Sequence, residues 1–115
     1  MSQTGQTVVA LTTLTDESVR ADYERWLEEV GAPTAAAMPG VLSFRVLRME
    51  GPVLDGADVP AHHYPELIEV ADLDGFRTAM AGLPASFHES LRTYIGATAV
   101  AHAVPVVDQE TGGTA

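Results

Sequence analysis

The order of apolar patterns along this chain predicts an α+β domain with the element order β-α-β-β-α-β. Alternating apolar residues mark four strands, and apolar residues at three- and four-residue spacing mark the helices between them. Glycine and proline divide the second helical segment into two short helices. This order is typical of the ferredoxin-like split β-α-β fold, in which helices cover one face of a four-stranded antiparallel sheet. The 115 residues are enough for one such domain.

The first strand is predicted over residues 7–12, and a long helix follows it. Thr15 or Asp16 can cap this helix, and the acidic residues at its start favour the positive end of the helix dipole. The helix is expected to end at about Val30, where Gly31 and Pro33 interrupt it. Its buried stripe follows helical spacing and comprises Val19, Tyr23, Trp26, Leu27 and Val30. The residues expected to face water are Asp22, Glu24, Arg25, Glu28 and Glu29.

The middle of the chain predicts two strands separated by a loop. Branched and aromatic residues favour a strand over residues 41–48. Its inward face is expected to carry Leu42, Phe44 and Val46. Glycine, proline and aspartate predict a loop over residues 51–60, and a strand around Glu66 follows.

The last part of the chain predicts two helices and one strand. A short helix begins at residue 72, carries Phe76, Ala79 and Met80, and ends at the Gly82–Pro84 break. A second helix is expected over about 85–95, with an apolar face of Phe87, Leu91 and Tyr94. The final strand is predicted over residues 97–107, before a polar tail over 109–115.

One face of the predicted sheet is too apolar to remain in water. Leu47, Leu67 and the alternating alanines of the last strand point away from the helices. Those alanines are Ala97, Ala99, Ala101 and Ala103. Pairing two such sheets face to face would cover this surface, so the sequence predicts a homodimer.

Composition excludes several classes of function. The formal charge is −10, and all six basic residues are arginines, so a nucleic-acid partner is not expected. Without cysteine or lysine there is no thiolate metal site, Cys nucleophile or Schiff base. Glycine-rich phosphate-binding motifs and a nucleophile-elbow serine are also missing. No apolar run approaches the ~20 residues of a membrane span, and no signal peptide is evident, so a cytoplasmic protein without a membrane partner is expected.

Glu66 is the main candidate for catalysis. Strand alternation places it on the same face as Tyr64, Ile68 and Val70, and a carboxylate among apolar neighbours needs a partner or a function. A carboxylate in an apolar pocket has a raised pKa, which suits a general base near neutrality. The Tyr64 phenol could then donate to a developing oxyanion. A structural alternative is that Glu66 pairs with an arginine or lies at an exposed strand edge.

The histidines are further candidates. His88 is expected to border the buried face of its helix, because Leu91 follows it by three residues. His102 alternates with Val100 and Val104 and would approach Glu66 if that face turned toward the helices. Each has a structural alternative, as a surface residue or a satisfied core residue. His62 and His63 are adjacent, so their rings diverge on an extended chain, and no metal site is predicted.

Aromatic residues are expected to shape a substrate pocket. Tyr23 and Trp26 on the first helix fill the core, and they would also line a pocket beneath that helix and stack on a flat substrate. Phe44 and His63 complete the predicted substrate-binding set. For Glu69, on the face opposite Glu66, a structural ion pair with Arg45 across the dimer interface is favoured over a catalytic role.

Three segments of the chain resemble the RedY-like (HapK) family of dimeric α+β barrel proteins. They are Tyr23–Trp26, Met38–Val46 and His63–Phe76, and the likeness extends over about 8–107. Their "Tyr-x-x-Trp" and "Glu-Val-x-Asp-Leu-Asp-x-Phe" patterns also fit EthD-like and antibiotic-monooxygenase barrels. The resemblance implies a small protein of natural-product biosynthesis, such as prodiginine-type or carbazole pathways, in which some members are described as promoting cyclisation of unstable intermediates.

A polyketide cyclase of the same fold, olivetolic acid cyclase, works without metal or organic cofactor in a pocket between sheet and helices. Its strand Tyr-x-His-Ile-Val-Glu-Val aligns with residues 64–70, which puts Glu66 in the place of a catalytic histidine. A second catalytic histidine of that cyclase lies in the region of His88. The change from histidine to glutamate alters the acid–base chemistry that the resemblance implies.

These observations lead to one principal hypothesis and two alternatives. The principal hypothesis is a cofactor-independent cyclase or aromatase that acts on an apolar aromatic or polyketide-like intermediate. Glu66 would be the general base, and Tyr64, with His88 or His102, would stabilise the oxyanion or return the proton. The alternatives are a cofactor-independent monooxygenase of the same fold and a barrel that binds a small molecule without catalysis.

Overall fold

Four strands form one antiparallel sheet in the order β2-β3-β1-β4, with all helices on one face. The structure is a computed structural model that describes residues 6–59 and 61–109. The strands are β1 (Gln6–Leu14), β2 (Val41–Val46), β3 (Tyr64–Val70) and β4 (Ile95–Ala103). The helices are α1 (Arg20–Trp26), α2 (Ala32–Ala37), α3 (Leu73–Ala81) and α4 (Ala85–Tyr94). The predicted ferredoxin-like α+β fold is therefore confirmed.

Two terminal segments are not part of the structural description. The N-terminal segment up to residue 5 and the polar tail beyond residue 109 lie outside the described residues. Within the described ranges, no helix is long and apolar enough to cross a bilayer.

The two central strands provide the core. From β1, Val8, Ala10 and Leu14 are buried toward the helices, and from β3, Ile68 and Val70 are buried on the same face. Further core contacts come from Val41, Phe44, Leu73 and Phe76 at one end of the sheet and from Val19, Trp26, Tyr94 and Ile95 at the other. Burying these side chains provides most of the stability of the fold.

The first helical segment is longer than the sequence analysis predicted. It does not end at Gly31 and Pro33 but continues to Ala37 through a π-helical turn over Leu27–Gly31. Pro33 lies at the start of α2, directly after the π turn. The extra residue of the π turn rotates the later side chains about the helix axis. Val30, predicted to be buried, is therefore 41% exposed, and Gly31 is buried in its place.

The outer strands differ from their predicted limits and pattern. A bulge in β2 between Val41 and Ser43 breaks the alternation, so Leu42 is 62% exposed instead of sharing the inward face of Phe44 and Val46. The strand β4 ends at Ala103, before the predicted limit at 107. The valines beyond it, Val104, Val106 and Val107, are exposed.

The sheet face away from the helices carries β4 alanines such as Ala99 and Ala101, which are exposed in the single chain. Glu69 on this face accepts hydrogen bonds from the Thr7 hydroxyl at 3.1 and 2.9 Å. Among the described residues Arg45 forms no ion pair within the chain. The predicted Glu69–Arg45 pair across an interface stays a prediction.

Candidate active site

An apolar cavity of about 320 Å³ lies between the helix-facing side of the sheet and the helices. Ala10 and Ile68 of the sheet form part of its floor. Trp26 and Gly31 of the first helical segment form part of its roof, and Phe76 and Phe87 contribute from α3 and α4. A volume of this size, with few polar groups, is typical of a small-molecule site.

Gly31 is the residue that lets the roof approach Trp26. A β-carbon added at this position would lie 2.9 Å from Cζ3 and 3.3 Å from Cε3 of the Trp26 ring. Only glycine therefore fits beside the indole without displacing it. The π turn brings Gly31 to this position, so the local backbone shapes the roof directly.

Glu66 is the carboxylate of the cavity, as strand alternation predicted. It pairs with Ala10 in the β1–β3 ladder, it lines the cavity, and it is partly buried. Burial raises the pKa of Glu66 to about 7, and a hydrogen bond from Thr12 opposes this shift. Because Glu66 has no ion-pair partner among the described residues, the arginine-paired alternative does not apply. The carboxylate can accept a proton at neutral pH.

Tyr23 also lines this cavity, and its hydroxyl is buried nearby. Its side chain is fully buried and lines the cavity, and its hydroxyl has no hydrogen-bond partner among the described residues. Burial is the main cause that raises the pKa of Tyr23, and the negative charge of Glu66 raises it further. The phenol therefore stays protonated near neutral pH, and its hydroxyl is a buried donor without a partner among the described residues.

Trp26 connects the aromatic residues around the cavity. Its ring stacks on Tyr23 with a centroid distance of 6.3 Å and an interplanar angle of 18°. It also meets Phe87 at 5.2 Å and Tyr94 at 6.0 Å. Together with Phe44, which lines the cavity from β2, these rings favour a flat ligand. Tyr23, Trp26 and Phe44 thus lie where the sequence analysis expected a substrate pocket.

Tyr64 does not share the cavity with Glu66, in contrast to the predicted pairing. Its ring is buried, but its hydroxyl donates to Oε2 of Glu24 at 2.6 Å and accepts from Nη1 of Arg20 at 3.1 Å. Burial and the Glu24 hydrogen bond raise the pKa of Tyr64 to about 12. Glu24, expected to face water, is half-buried in this network and also accepts from Arg48 at 2.8 Å. The Tyr64 hydroxyl is therefore held in a structural network, whereas the Tyr23 hydroxyl has no partner among the described residues.

The structure does not bring the predicted histidines into the cavity. His63 accepts a hydrogen bond from the Leu14 backbone N–H at 3.1 Å, whereas Nδ1 of His62 lies 3.2 Å from the Thr13 hydroxyl. His88 meets Phe87 edge-on and does not line the cavity. His102 faces the helix side, but it is exposed. It pairs with Val8, which is opposite Ile68 and not Glu66 on β3. The β4 residue aligned with Glu66 across the sheet is Val100, since both pair with Ala10 of β1.

The unpartnered hydroxyl of Tyr23 is a candidate group that the sequence did not reveal. Helical spacing identified this residue as part of a buried stripe but gave no sign that its hydroxyl would lack a partner. Within residues 6–59 and 61–109, no three or more His, Asp or Glu side chains are grouped so that they could hold a metal ion.

Replacing Glu66 by glutamine is expected to stabilise the fold in a pH-dependent way. The folded-state pKa of about 7 exceeds the ordinary value of 4.5, so the ionised carboxylate destabilises the folded state. In the wild-type protein this destabilisation is absent below about pH 4.5 and grows as the pH rises. It reaches at most about 3 kcal/mol of unfolding free energy above about pH 7. Urea unfolding of both proteins across this range measures the difference. A difference that does not change with pH would contradict the assignment.

Comparison with known proteins identifies a family and a fold. The model of the family described as "REDY-like protein HapK" matches residues 6–105. HapK from Hahella chejuensis superimposes with a TM-score of 0.66 at 20% identity, over 93% of this chain and 99% of that chain. No curated protein sequence matches the chain.

Two further solved structures share the fold. SnoaB from Streptomyces nogalater, described as a cofactor-independent oxygenase, has a TM-score of 0.65 at 18% identity, over 96% of this chain and 99% of its own. A dimeric protein of unknown function and ferredoxin-like fold from Bacteroides fragilis has a TM-score of 0.60 at 15% identity, over 90% of this chain and 98% of its own. At these identities the likeness establishes the fold.

Proposed function

This chain belongs to the REDY-like HapK family, and from that premise we propose that it catalyses proton transfer on an apolar, flat intermediate without a cofactor. The reaction is cyclisation or aromatisation of an aromatic or polyketide-like molecule in natural-product biosynthesis. The observation that carries the proposal is one ionisable carboxylate, Glu66, with a pKa of about 7 in an otherwise apolar cavity. A base poised near the working pH is the most effective general base.

The first step is removal of a proton from carbon. Glu66 takes a proton from a C–H next to a substrate carbonyl, and the electron pair of that bond forms an enolate. The unpaired Tyr23 hydroxyl donates to the enolate oxygen, and the dry surroundings strengthen this hydrogen bond. Glu66 is then a neutral carboxylic acid, which the apolar cavity favours.

Ring closure follows within the same molecule. The enolate carbon attacks a second carbonyl carbon, a C–C bond forms, and the resulting alkoxide takes the proton back from Glu66. Loss of water then gives the conjugated or aromatic ring. The aromatic-lined cavity holds the two reacting carbons near one another, which lowers the entropic part of the barrier.

We also propose that the active form is a homodimer. The sheet face opposite the helices carries exposed alanines on β4, and Leu47 beyond β2 is 39% exposed. A second copy placed on this face would remove these apolar side chains from water. The cavity lies on the other side of the sheet, so such a pairing would leave it open to substrate.

An oxygenase is the second candidate, because SnoaB shares the fold and is described as a cofactor-independent oxygenase. It would begin with the same deprotonation, after which the carbanion would react with oxygen. The discriminating experiment uses the aromatic ketone β-tetralone in D₂O, with loss of its acidic C–H signals followed by NMR under argon and in air. We expect protein-dependent exchange at equal rates in both atmospheres.

The other outcomes of this experiment would contradict the proposal. Oxygen uptake coupled to substrate loss in air would identify an oxygenase. Binding of β-tetralone, seen as a change in Trp26 fluorescence, without any acceleration of exchange over buffer would leave a binding protein. Trp26 is the only tryptophan and lines the cavity, so its emission reports on occupancy of this site.

A further inference from the structure

We propose that Arg92 binds a carboxylate group of the substrate at the opening of the cavity. The inference rests on the proposed function and specifies its substrate class: a flat, apolar molecule with an anionic group at one end and an enolisable carbonyl at the other.

Arg92 lies in the last turn of α4 and lines the cavity, although it is exposed to solvent. Glu66, by contrast, is mostly enclosed. These two are the only charged residues among the described residues that line the cavity. The site therefore has one positive group at its solvent side and one titratable carboxylate inside.

Arg92 also differs from most arginines of this chain. Arg20, Arg25, Arg48 and Arg77 each form an ion pair with a carboxylate, at 2.7 to 3.2 Å. Arg92 has no such pair among the described residues, even though the whole chain has sixteen acidic residues against six basic ones. Arg45 is likewise unpaired, but it lies on β2 away from the cavity. The guanidinium of Arg92 is thus free to donate two hydrogen bonds to an external carboxylate.

The charge distribution also favours one orientation of the ligand in the cavity. A net charge of −10 repels an anion at long range, so an anionic substrate needs a local positive group at the entrance. Inside the cavity, ionised Glu66 would repel the ligand carboxylate. The carboxylate is therefore held at Arg92, and the opposite end of the molecule reaches Glu66 and the Tyr23 hydroxyl. Arg92 acts here as a positioning residue, because it orients the substrate and does not touch the reacting carbon.

The test compares naphthoate and naphthamide, which have the same ring and similar size but differ in charge. Their dissociation constants are measured by calorimetry at about pH 6, where most Glu66 is protonated and the naphthoate stays ionised. We expect the wild-type protein to bind naphthoate more tightly than naphthamide. In Arg92→Gln, naphthoate affinity should fall about 10–100-fold, while naphthamide affinity changes less than about twofold. Arg77→Gln removes the same charge from an exposed ion pair and should leave both affinities unchanged.

The outcomes separate this inference from the proposed function. Equal binding of the two ligands to the wild-type protein, or an equal loss for both in Arg92→Gln, would overturn the carboxylate assignment and leave the cavity as a binding site. The same loss of naphthoate binding in Arg77→Gln would show only a general charge effect. If neither ring compound bound the wild-type protein, both the inference and the proposed function would fail.

Discussion

The Glu66→Gln variant is expected to exchange the acidic C–H protons of β-tetralone about 10²–10⁴-fold more slowly than the wild-type protein. Glutamine has nearly the same shape but cannot accept the proton, so binding should change little while the rate falls. In the wild-type protein the rate divided by ligand occupancy should rise with pH and level off above about pH 7, in line with the raised pKa of Glu66.

Glu69→Gln is the matched control for this variant. It makes the same substitution on the same strand, but Glu69 lies on the opposite face of the sheet and accepts from Thr7. Its exchange rate should stay within about twofold of the wild-type rate, since the general-base contribution belongs to Glu66 alone. Near-normal exchange by Glu66→Gln, with intact folding, would remove Glu66 as the base.

The Tyr23→Phe variant is expected to lower the exchange rate about 10²–10³-fold, the usual effect of removing one oxyanion donor. The same change should raise the free energy of unfolding by on the order of 1 kcal/mol, because it removes a buried hydroxyl that lacks a partner. Opposite effects on rate and stability distinguish a functional hydroxyl from a structural one. Steady-state exchange measurements and urea unfolding of the same preparation test both.

Tyr64→Phe provides the opposite pattern. Its hydroxyl donates to Glu24 and accepts from Arg20 outside the cavity, so the variant should lose about 1–2 kcal/mol of stability and keep its exchange rate. If Tyr64→Phe lost the rate and Tyr23→Phe kept it, the assignment of the oxyanion donor would be reversed.

Local patterns predicted the fold and the direction of Glu66 because both depend on strand alternation. The Ile68 and Val70 neighbours of Glu66 show its inward face in the sequence itself. Alternation does not tell where the end of a long side chain finds its partner. Tyr64 points inward as predicted, yet its hydroxyl reaches Glu24 and Arg20 at the edge of the core.

The extent of the first helix was not predictable from the same local rules. Gly31 and Pro33 normally end a helix, but here a π turn over Leu27–Gly31 leads directly into α2, which continues to Ala37. His102 shows a similar limit. Its alternation with Val100 and Val104 was identified, but its distance from Glu66 depends on the register of two strand pairs, which a single strand pattern does not contain.

The π turn over Leu27–Gly31 affects how much space the cavity offers beside Trp26. Glu66 lies on β3, whereas Gly31 of the π turn lies in the first helical segment, and both line the cavity. Gain or loss of a single residue in that turn would exchange Gly31 for a bulkier neighbour over Trp26 and leave the strands untouched. The space beside Trp26 and the position of Glu66 therefore depend on different elements of the fold.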